Sequence, residues 1–346
     1  MSLFNLVKSR SKSSDWTLDF SSDDLLGAGA GTSQFLSKFR EAEIMALLTS
    51  SGVIPHAASK GYDSFNVRFD LSDPFVHSLF LDARHVATDN VYMLMEVHLR
   101  VICNAGELKL STTASDLTPG QLFFLNSVQH LDHLRLLACE FLRLQNPAIP
   151  FSASRPPLPG QDHPGLGCMR QAGDFLVDLA GSHSCDGILN APQHFQNAFL
   201  YARNGFEYAN AEVQGGFDTM VADLKGDLER HGLAPVANAV LQGRLFMHRK
   251  LEVNGKKEEQ RVIWAPEEQI FPISDRLKAY LKSNPYERIR KCCVAKGVFF
   301  IDWDCPLASD DDIKEAQVLR HAIVDALDVG EKIKKVAEEE EKKRKH

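Results

Sequence analysis

Several features that would point to a membrane or secreted protein are missing from this sequence. No stretch of about eighteen apolar residues occurs, so no membrane-spanning helix is expected. Residues 1–7, Met-Ser-Leu-Phe-Asn-Leu-Val, lack the long apolar core of a signal peptide. Both absences favour a soluble, cytoplasmic protein with no membrane partner.

Cysteine is present, but in no pattern typical of metal binding or of a disulfide framework. The seven cysteines are an odd number, no two of them have C-x-x-C spacing, and Cys292 and Cys293 are adjacent. Zinc ribbons and disulfide-rich domains have regular cysteine spacing instead. Reduced thiols, and again a cytoplasmic location, are therefore expected.

Three signatures of chemistry or binding are also absent. The chain has no G-x-S-x-G nucleophile elbow, which argues against a serine hydrolase. The glycine-rich segment 27–32 has no G-K-[ST] ending and follows no predicted strand, which argues against a P-loop. The net charge is -7, whereas general nucleic-acid binding needs a basic face, so no nucleic-acid partner is expected.

The sequence does contain alternating helical and strand-like patterns. Apolar residues recur at helical spacing over 34–50, and the period changes to two over 65–71, 76–81 and 92–102. Because short connections join these three strand-like runs, they are expected to pair antiparallel. Helical spacing returns over 126–145, where a long helix is predicted.

The second half of the chain continues this alternation. Helices are predicted over 168–180, 193–204, 216–230, 233–242, 275–282 and 313–336. Strands are predicted over 187–189, 244–248, 260–264 and 298–303, with a turn at 254–255. The predicted fold class is α+β, or loosely α/β, with a mixed sheet flanked by helices.

Composition divides the chain into five predicted segments. A flexible arm rich in Ser, Gly, Asp and Lys comes first, and a solvated run of charges comes last. The segments are the arm 1–34, an N-terminal α+β region 35–146, a proline-rich connection 147–165, a region 166–330 with a terminal helix, and a charged tail 331–346.

Two segments suggest chemistry. The loop 158–168, Leu-Pro-Gly-Gln-Asp-His-Pro-Gly-Leu-Gly-Cys, runs directly into a predicted helix. Backbone N–H groups at a helix N-terminus are free to bind an anion, and the helix dipole favours negative charge there. Further on, residues 201–206, Tyr-Ala-Arg-Asn-Gly-Phe, end an aromatic helix with a glycine.

Together these segments resemble the GNAT superfamily of acyl-CoA-dependent N-acetyltransferases, over about residues 160–217. That family has a loop [RQ]-x-x-G-x-[GA] that opens a helix, and a later helix that ends Y-x-x-x-G-F. Residues 201–206 match the second pattern position for position. In the loop Gly165 and Gly167 match, but Asp162 stands where Arg or Gln is expected, and Gln161 precedes it.

The resemblance implies transfer of an acyl group from acetyl-CoA or another acyl-CoA to an amine, on a small molecule or a peptide. Tyr201 would protonate the departing thiolate as general acid, and His163 and His194 are candidate bases. A homodimer is left open. The residues expected to bind the cofactor are Gln161, Gly165, Leu166, Gly167, Cys168 and Arg170.

Other function classes stay open. Asp162, and the prolines at 149–157 where the family has an apolar strand, favour a non-catalytic scaffold or interaction protein. His130 and His133 stand at i and i+3, but nothing fixes a third ligand, so no metal site is assigned. Cys168 is the best candidate for a cysteine nucleophile, because a helix N-terminus lowers the pKa of a thiol.

Overall fold

The computed structural model describes residues 34–103, 134–253, 256–294, 297–318 and 330–344. The helices in this part of the chain are α1 Glu41–Ser50, α2 Val53–Ala58, α3 Met169–Ser182, α4 Phe195–Ala202, α5 Ala211–Asp223, α6 Lys225–His231, α7 Leu233–Leu241, α8 Asp275–Leu281, α9 Asn284–Cys292, α10 Asp310–Glu315 and α11 Gly330–Arg344. The strands are β1 Tyr62–Asp70, β2 His77–His85, β3 Val91–Ile102, β4 Leu136–Leu144, β5 Gly187–Asn190, β6 Glu207–Tyr208, β7 Leu245–Val253, β8 Lys256–Ile263, β9 Gln269–Pro272, β10 Phe299–Ile301 and β11 Gln317–Val318. The predicted α+β fold class is confirmed.

The larger sheet has seven strands in the order β1-β2-β3-β4-β5-β9-β6. Strands β1 to β4 form an antiparallel meander, which confirms the pairing predicted for the first three of them. Strand β5 then pairs parallel with β4, and helix α3 makes the crossover between them. Strand β9 joins β5 to β6 by antiparallel pairing. One sheet thus takes strands from both sides of the predicted proline-rich connection.

The prediction of a helix over 126–145 is wrong where the structure describes the chain, because 136–144 is strand β4. Leu136 to Cys139 are all buried, since both faces of this strand are covered. Leu137 and Cys139 belong to the core on one side of the sheet, and Leu136 and Ala138 to the core on the other. A strand buried on both faces shows no alternation, so its apolar run imitates a helix.

Helices cover the two faces of the large sheet. On one face, α1 and α3 pack their apolar residues against β1 to β5. The amphipathic pattern of α3 is that predicted from the sequence, and its buried side chains are Ala172, Phe175, Leu176, Leu179 and Ala180. On the other face, α4, α5 and α7 share a core with β4 and β9.

The second sheet has the strand order β10-β7-β8-β11 and packs into the core shared with α5 and α7. Strands β7 and β8 form the predicted hairpin. Leu245, Met247 and Val262 place one face of it in the core. This hairpin lies in the chain between β6 and β9, which are neighbours in the large sheet, so it belongs to a long insertion between those two strands.

The C-terminal part differs from the predicted helix 313–336. Helix α10 ends at Glu315, and β11 then pairs parallel with β8. Helix α11 continues to Arg344, through the segment predicted as a charged tail. Ile333 and Val336 of α11 are buried in the core, which explains why this charge-rich helix packs against the protein.

Asp186, just before β5, holds the start of that strand in place. Its carboxylate accepts hydrogen bonds from the Arg135 amide at 2.8 Å and from Arg276 Nε at 2.7 Å. Burial alone would raise the pKa of this carboxyl, but the bonds from Arg276 and from the Arg135 amide outweigh it and hold the pKa below its ordinary value. The ionised form is therefore the one that stabilises the fold.

We expect Asp186→Asn to lower the free energy of unfolding at pH 7 by about 2 kcal/mol, because it removes charge-assisted hydrogen bonds. A lowered native pKa stabilises the protein above the unfolded value of about 4, and this contribution is lost as pH falls through the native pKa. Urea unfolding at pH 7 and pH 3 should therefore show a smaller gap between wild type and variant at pH 3. Asp275→Asn, at a fully exposed side chain, is the control. An equal gap at both pH values would contradict the role of the charge.

Candidate functional site

A cleft lies between α3 and the large sheet. Its volume is about 670 Å³, which includes the solvent space at its open mouth. Its walls are mainly apolar, with a few polar groups among them. The apolar lining comes from Leu142, Met169, Leu176, Val177, Ile188, Phe206 and Phe271, and the other lining residues are Cys139, Arg170, Gly173, Asp174, Asn190, Tyr201 and Asn204. An apolar cavity with a small number of polar groups is typical of a ligand site.

The cleft forms where two parallel strands separate. Strands β4 and β5 pair only from Leu136–Gly187 to Cys139–Asn190. Strand β5 ends there, while β4 continues to Leu144, and no described strand pairs with β4 on that side from Glu140 to Arg143. In sheets with parallel strands, ligands bind beyond the carboxyl ends of those strands, which is the position of this cleft.

The N-terminus of α3 opens into the same cleft. Met169 and Arg170, the first two residues of this fourteen-residue helix, line it, and the Arg170 side chain is exposed. Amide groups in the first turn of a helix have no carbonyl partner within the helix, and the dipole favours an anion there. Asp174, one turn further on, adds an exposed negative charge to the same wall.

Tyr201, near the end of α4, is half-buried and lines the cleft. The Gly205-Phe206 ending positions it: Gly205 takes a left-handed φ of 91°, and the Phe206 amide then donates to the Tyr201 carbonyl at 3.2 Å. The Phe206 ring lies 5.3 Å from the Tyr201 ring and 5.4 Å from that of Phe271. The aromatic motif seen in the sequence thus builds one wall of the cleft.

The Tyr201 phenol is in its protonated form at neutral pH. Burial, and to a smaller extent Cys139, raise its pKa above the ordinary value. No described residue forms a hydrogen bond with its oxygen, so the phenol is left to interact with a bound molecule. Cys139 itself is buried, which raises the pKa of its thiol to about 12.

The predicted cofactor loop is tied to the protein. The Leu166 amide donates to the Leu144 carbonyl at 3.3 Å, and the Leu166 carbonyl lies 3.1 Å from His56 Nε2. Arg155 Nη2 donates to the Gly165 carbonyl at 2.9 Å. The Leu166 amide is therefore not available to a phosphate in this conformation.

Other residues of the loop shape its path. Gln161 Oε1 accepts from the Leu158 amide at 3.2 Å, and Gly167 has a left-handed φ of 84° that turns the chain into α3. Cys168 precedes α3 and is fully buried, and this burial raises the pKa of its thiol to about 11. That shift is opposite to the lowering expected at a helix N-terminus, and a raised pKa argues against Cys168 as a nucleophile. Of the six predicted cofactor-binding residues, Arg170 lines the cleft.

Neither candidate base lines the cleft with Tyr201. His163 is exposed on the loop. His194 immediately precedes α4, seven residues before Tyr201, which places the two about 10 Å apart along the helix. The His194 ring packs against Gly160, where an added Cβ would lie 3.0 Å from Nε2, and burial lowers the pKa of this imidazole.

The sequence did not reveal Cys139 and Asn190 as lining residues. Cys139 lies in the strand that was predicted as a helix. Asn190 follows the predicted strand 187–189 directly, and a polar residue that ends an apolar strand was the available signal.

The described ranges were compared with the side-chain groupings that hold metal ions and with the helices that cross membranes. In these ranges no three His, Cys, Asp or Glu side chains are grouped so that they could hold a metal ion. His130, Asp132 and His133 lie outside them. The described helices include none with the length and hydropathy to cross a membrane. All seven cysteines fall within the described ranges and are unpaired.

No family model matches this sequence, and no curated protein matches it either. The chemistry of the cleft is therefore the basis for a functional assignment.

Proposed function

We propose that this chain is an acyl-CoA-dependent N-acyltransferase that resembles the GNAT superfamily. One observation carries the proposal: Tyr201 and the N-terminus of α3 lie in a single cleft at the point where β4 and β5 separate. The resemblance assigns Tyr201 as the acid and the start of α3 as the anion site. The two segments are separated in the chain by strand β5, and both of them line the cleft at the end of that strand.

The residues of the cleft fit an acyl-CoA. Its anionic end suits the first turn of α3 and the exposed Arg170. Its extended arm suits the apolar walls and the unpaired edge of β4 between Glu140 and Arg143, which can exchange hydrogen bonds with amides. Asp174 is the one charged lining residue that opposes an anion, and it is exposed to solvent.

The bound acyl-CoA supplies a thioester whose acyl carbon bonds to the amine nitrogen as its C–S bond breaks. Tyr201 donates its phenol proton to the thiolate that leaves. Its raised pKa means that the phenol carries its proton at neutral pH. The phenolate then recovers a proton released by the amine, by way of solvent at the mouth of the cleft.

The proposal includes a cytoplasmic location, which the seven unpaired cysteines support. The acceptor is the amine of a small molecule or a peptide, since the open mouth of the cleft leaves room for either. Calorimetric titration with acetyl-CoA and with free CoA tests the proposal directly, and saturable micromolar binding is the expected result.

We expect Gly173→Leu to weaken acetyl-CoA binding at least about tenfold without loss of stability. Gly173 lines the cleft, and a Cβ added there meets no atom within 4 Å, so a leucine side chain can extend into the ligand space. Leucine is also favoured over glycine in a helix by roughly 0.5–1 kcal/mol, so the fold should be retained. Calorimetric titration and thermal unfolding measure the two effects.

Gly181→Leu is the matched control. Gly181 lies in the same helix, is exposed, and also has no atom within 4 Å of an added Cβ, but it does not line the cleft. It should bind acetyl-CoA as the wild type does. Equal affinities in both variants would place the acyl-CoA elsewhere on the protein.

A non-catalytic interaction protein is the second candidate, and one observation favours it. The Leu166 amide, which the resemblance assigns to the cofactor, is bonded to Leu144 instead. A protein that kept the fold but lost the cofactor site would show this arrangement. Wild-type protein that is folded but binds neither acetyl-CoA nor CoA would favour this second candidate.

A further inference from the structure

Asn190 occupies a special position in the large sheet. It is the last residue of β5 and the last residue of that strand to pair with β4, opposite Cys139. On its other side it stands opposite Gln269 of β9. Asn190 is only 7% exposed, yet it lines the cleft.

The side-chain oxygen of Asn190 lacks a hydrogen bond. Oδ1 is buried and has no hydrogen-bond partner among the residues that the structure describes. Asn146 is a buried asparagine whose side-chain oxygen does have a partner. It is 5% exposed, and its Oδ1 accepts a hydrogen bond from the Tyr62 hydroxyl at 2.6 Å. A buried acceptor without a donor destabilises the fold, so it calls for an explanation.

The neighbouring strand adds a second acceptor of the same kind. Gln269, opposite Asn190, is completely buried, and its Oε1 also lacks a partner in the described ranges. Its amide orientation is held, because Nε2 donates to the Ala198 carbonyl at 3.3 Å. Residues directly opposite in a ladder have Cβ atoms about 5 Å apart. Two buried acceptors without a described donor thus stand opposite each other on β5 and β9, and one of them, Asn190, lines the cleft.

We propose that Asn190 binds the ligand of the cleft: its side-chain amide turns about χ2 so that Oδ1 faces the cleft and accepts a hydrogen bond from a ligand N–H group. This inference rests on the proposed function for the identity of the ligand. Two sources supply such a group: an amide of the acyl-CoA arm, and the amine of the acceptor. Asn190 positions the ligand and takes no part in proton transfer, since an amide oxygen is not a base at neutral pH.

The first experiment measures the melting temperature of the free protein. We expect Asn190→Leu to raise it by about 2–4 °C, because the substitution removes an unpaired buried acceptor. Asn146→Leu, at the paired asparagine, should lower it by at least as much. Asn190→Ala introduces no side chain large enough to overpack the site, so it should leave the melting temperature unchanged or raise it. If both Asn190 variants lowered the melting temperature as much as Asn146→Leu does, the proposal would be overturned. That result would show that Asn190 already has a hydrogen-bond partner in the free protein.

The second experiment compares binding by wild type and Asn190→Leu. The probes are CoA, followed by calorimetry, and benzylamine, followed by ligand-observed NMR. A loss of about tenfold in CoA affinity identifies an amide of the cofactor arm as the donor, and a similar loss for benzylamine alone identifies the amine. Unchanged affinity for both probes, or no binding of either by the wild type, overturns the proposal.

The two proposals fail in different ways. If the wild type does not bind CoA, the acyltransferase assignment fails. In that case the melting temperatures and the benzylamine titration still decide whether Asn190 accepts a hydrogen bond from a ligand N–H group.

Discussion

Tyr201→Phe is expected to lower the rate of acyl transfer about 100-fold, while acetyl-CoA affinity stays within about twofold of wild type. The phenol oxygen has no hydrogen bond to the described residues, and the ring contacts with Phe206 are available to phenylalanine as well. The substitution therefore removes a proton donor and little else. The loss should appear in kcat rather than in KM for acetyl-CoA.

The rate can be followed by release of the CoA thiol in the presence of primary amines. Tyr92→Phe is the matched control, because it removes a half-buried tyrosine hydroxyl from β3, outside the cleft. That variant should keep the wild-type rate. If Tyr201→Phe also kept it, Tyr201 would be a packing residue, and the acid would have to be sought among the other polar groups of the cleft.

The pKa of Tyr201 adds a second test. Burial and Cys139 raise it above its ordinary value of about 10, so the phenol stays protonated through the neutral and mildly alkaline range. The wild-type rate should then show no decline caused by loss of the phenol proton below about pH 10. A decline between pH 7 and pH 9 that is absent from Tyr201→Phe would contradict the raised pKa.

Periodicity in the sequence predicts most of the elements that build the site. The alternation in β1 and the helical spacing in α3 correspond to one covered face in each case, so the pattern follows directly from burial. The same reasoning failed for β4, which is buried on both faces. Its partner on one side is β5, which the α3 crossover places next to it. The apolar pattern within residues 136–144 does not depend on that pairing, so the sequence of β4 alone could not reveal it.

The site was predictable in part for the same physical reason. Tyr201 belongs to a local motif, in which a left-handed glycine closes a helix, so it could be recognised from six consecutive residues. Cys139 and Asn190 meet only because β4 and β5 pair and then separate. The hydrogen bond from the Leu166 amide to Leu144 depends on the return of a long loop to the end of β4. Contacts of this kind depend on the complete fold.

Gly215→Ala is expected to lower the free energy of unfolding by about 3 kcal/mol. Gly215 lies in α5 against the end of α9, and an added Cβ would clash with the Arg290 carbonyl oxygen and lie 2.8 Å from Cys293 Cβ. Neither atom belongs to a flexible side-chain end. Thr219 fixes the contact further, because its hydroxyl bonds to the carbonyls of Gly215 and Cys293. The two helices must therefore move apart to admit a methyl group.

Gly226→Ala provides the matched control for this effect. Gly226 lies in the exposed helix α6, and an added Cβ there meets no atom within 4 Å. Alanine should stabilise this helix by up to about 1 kcal/mol, since it is favoured over glycine. The same gain in propensity applies at Gly215, so the difference between the two variants in urea unfolding measures the steric cost alone. A Gly215→Ala variant as stable as Gly226→Ala would mean that α5 and α9 do not pack this closely. In that case the position of α8 and α9 would depend mainly on two buried hydrogen bonds to the edge of the large sheet. The Tyr286 hydroxyl donates to the Tyr208 carbonyl, and the Tyr280 hydroxyl donates to the Ala209 carbonyl.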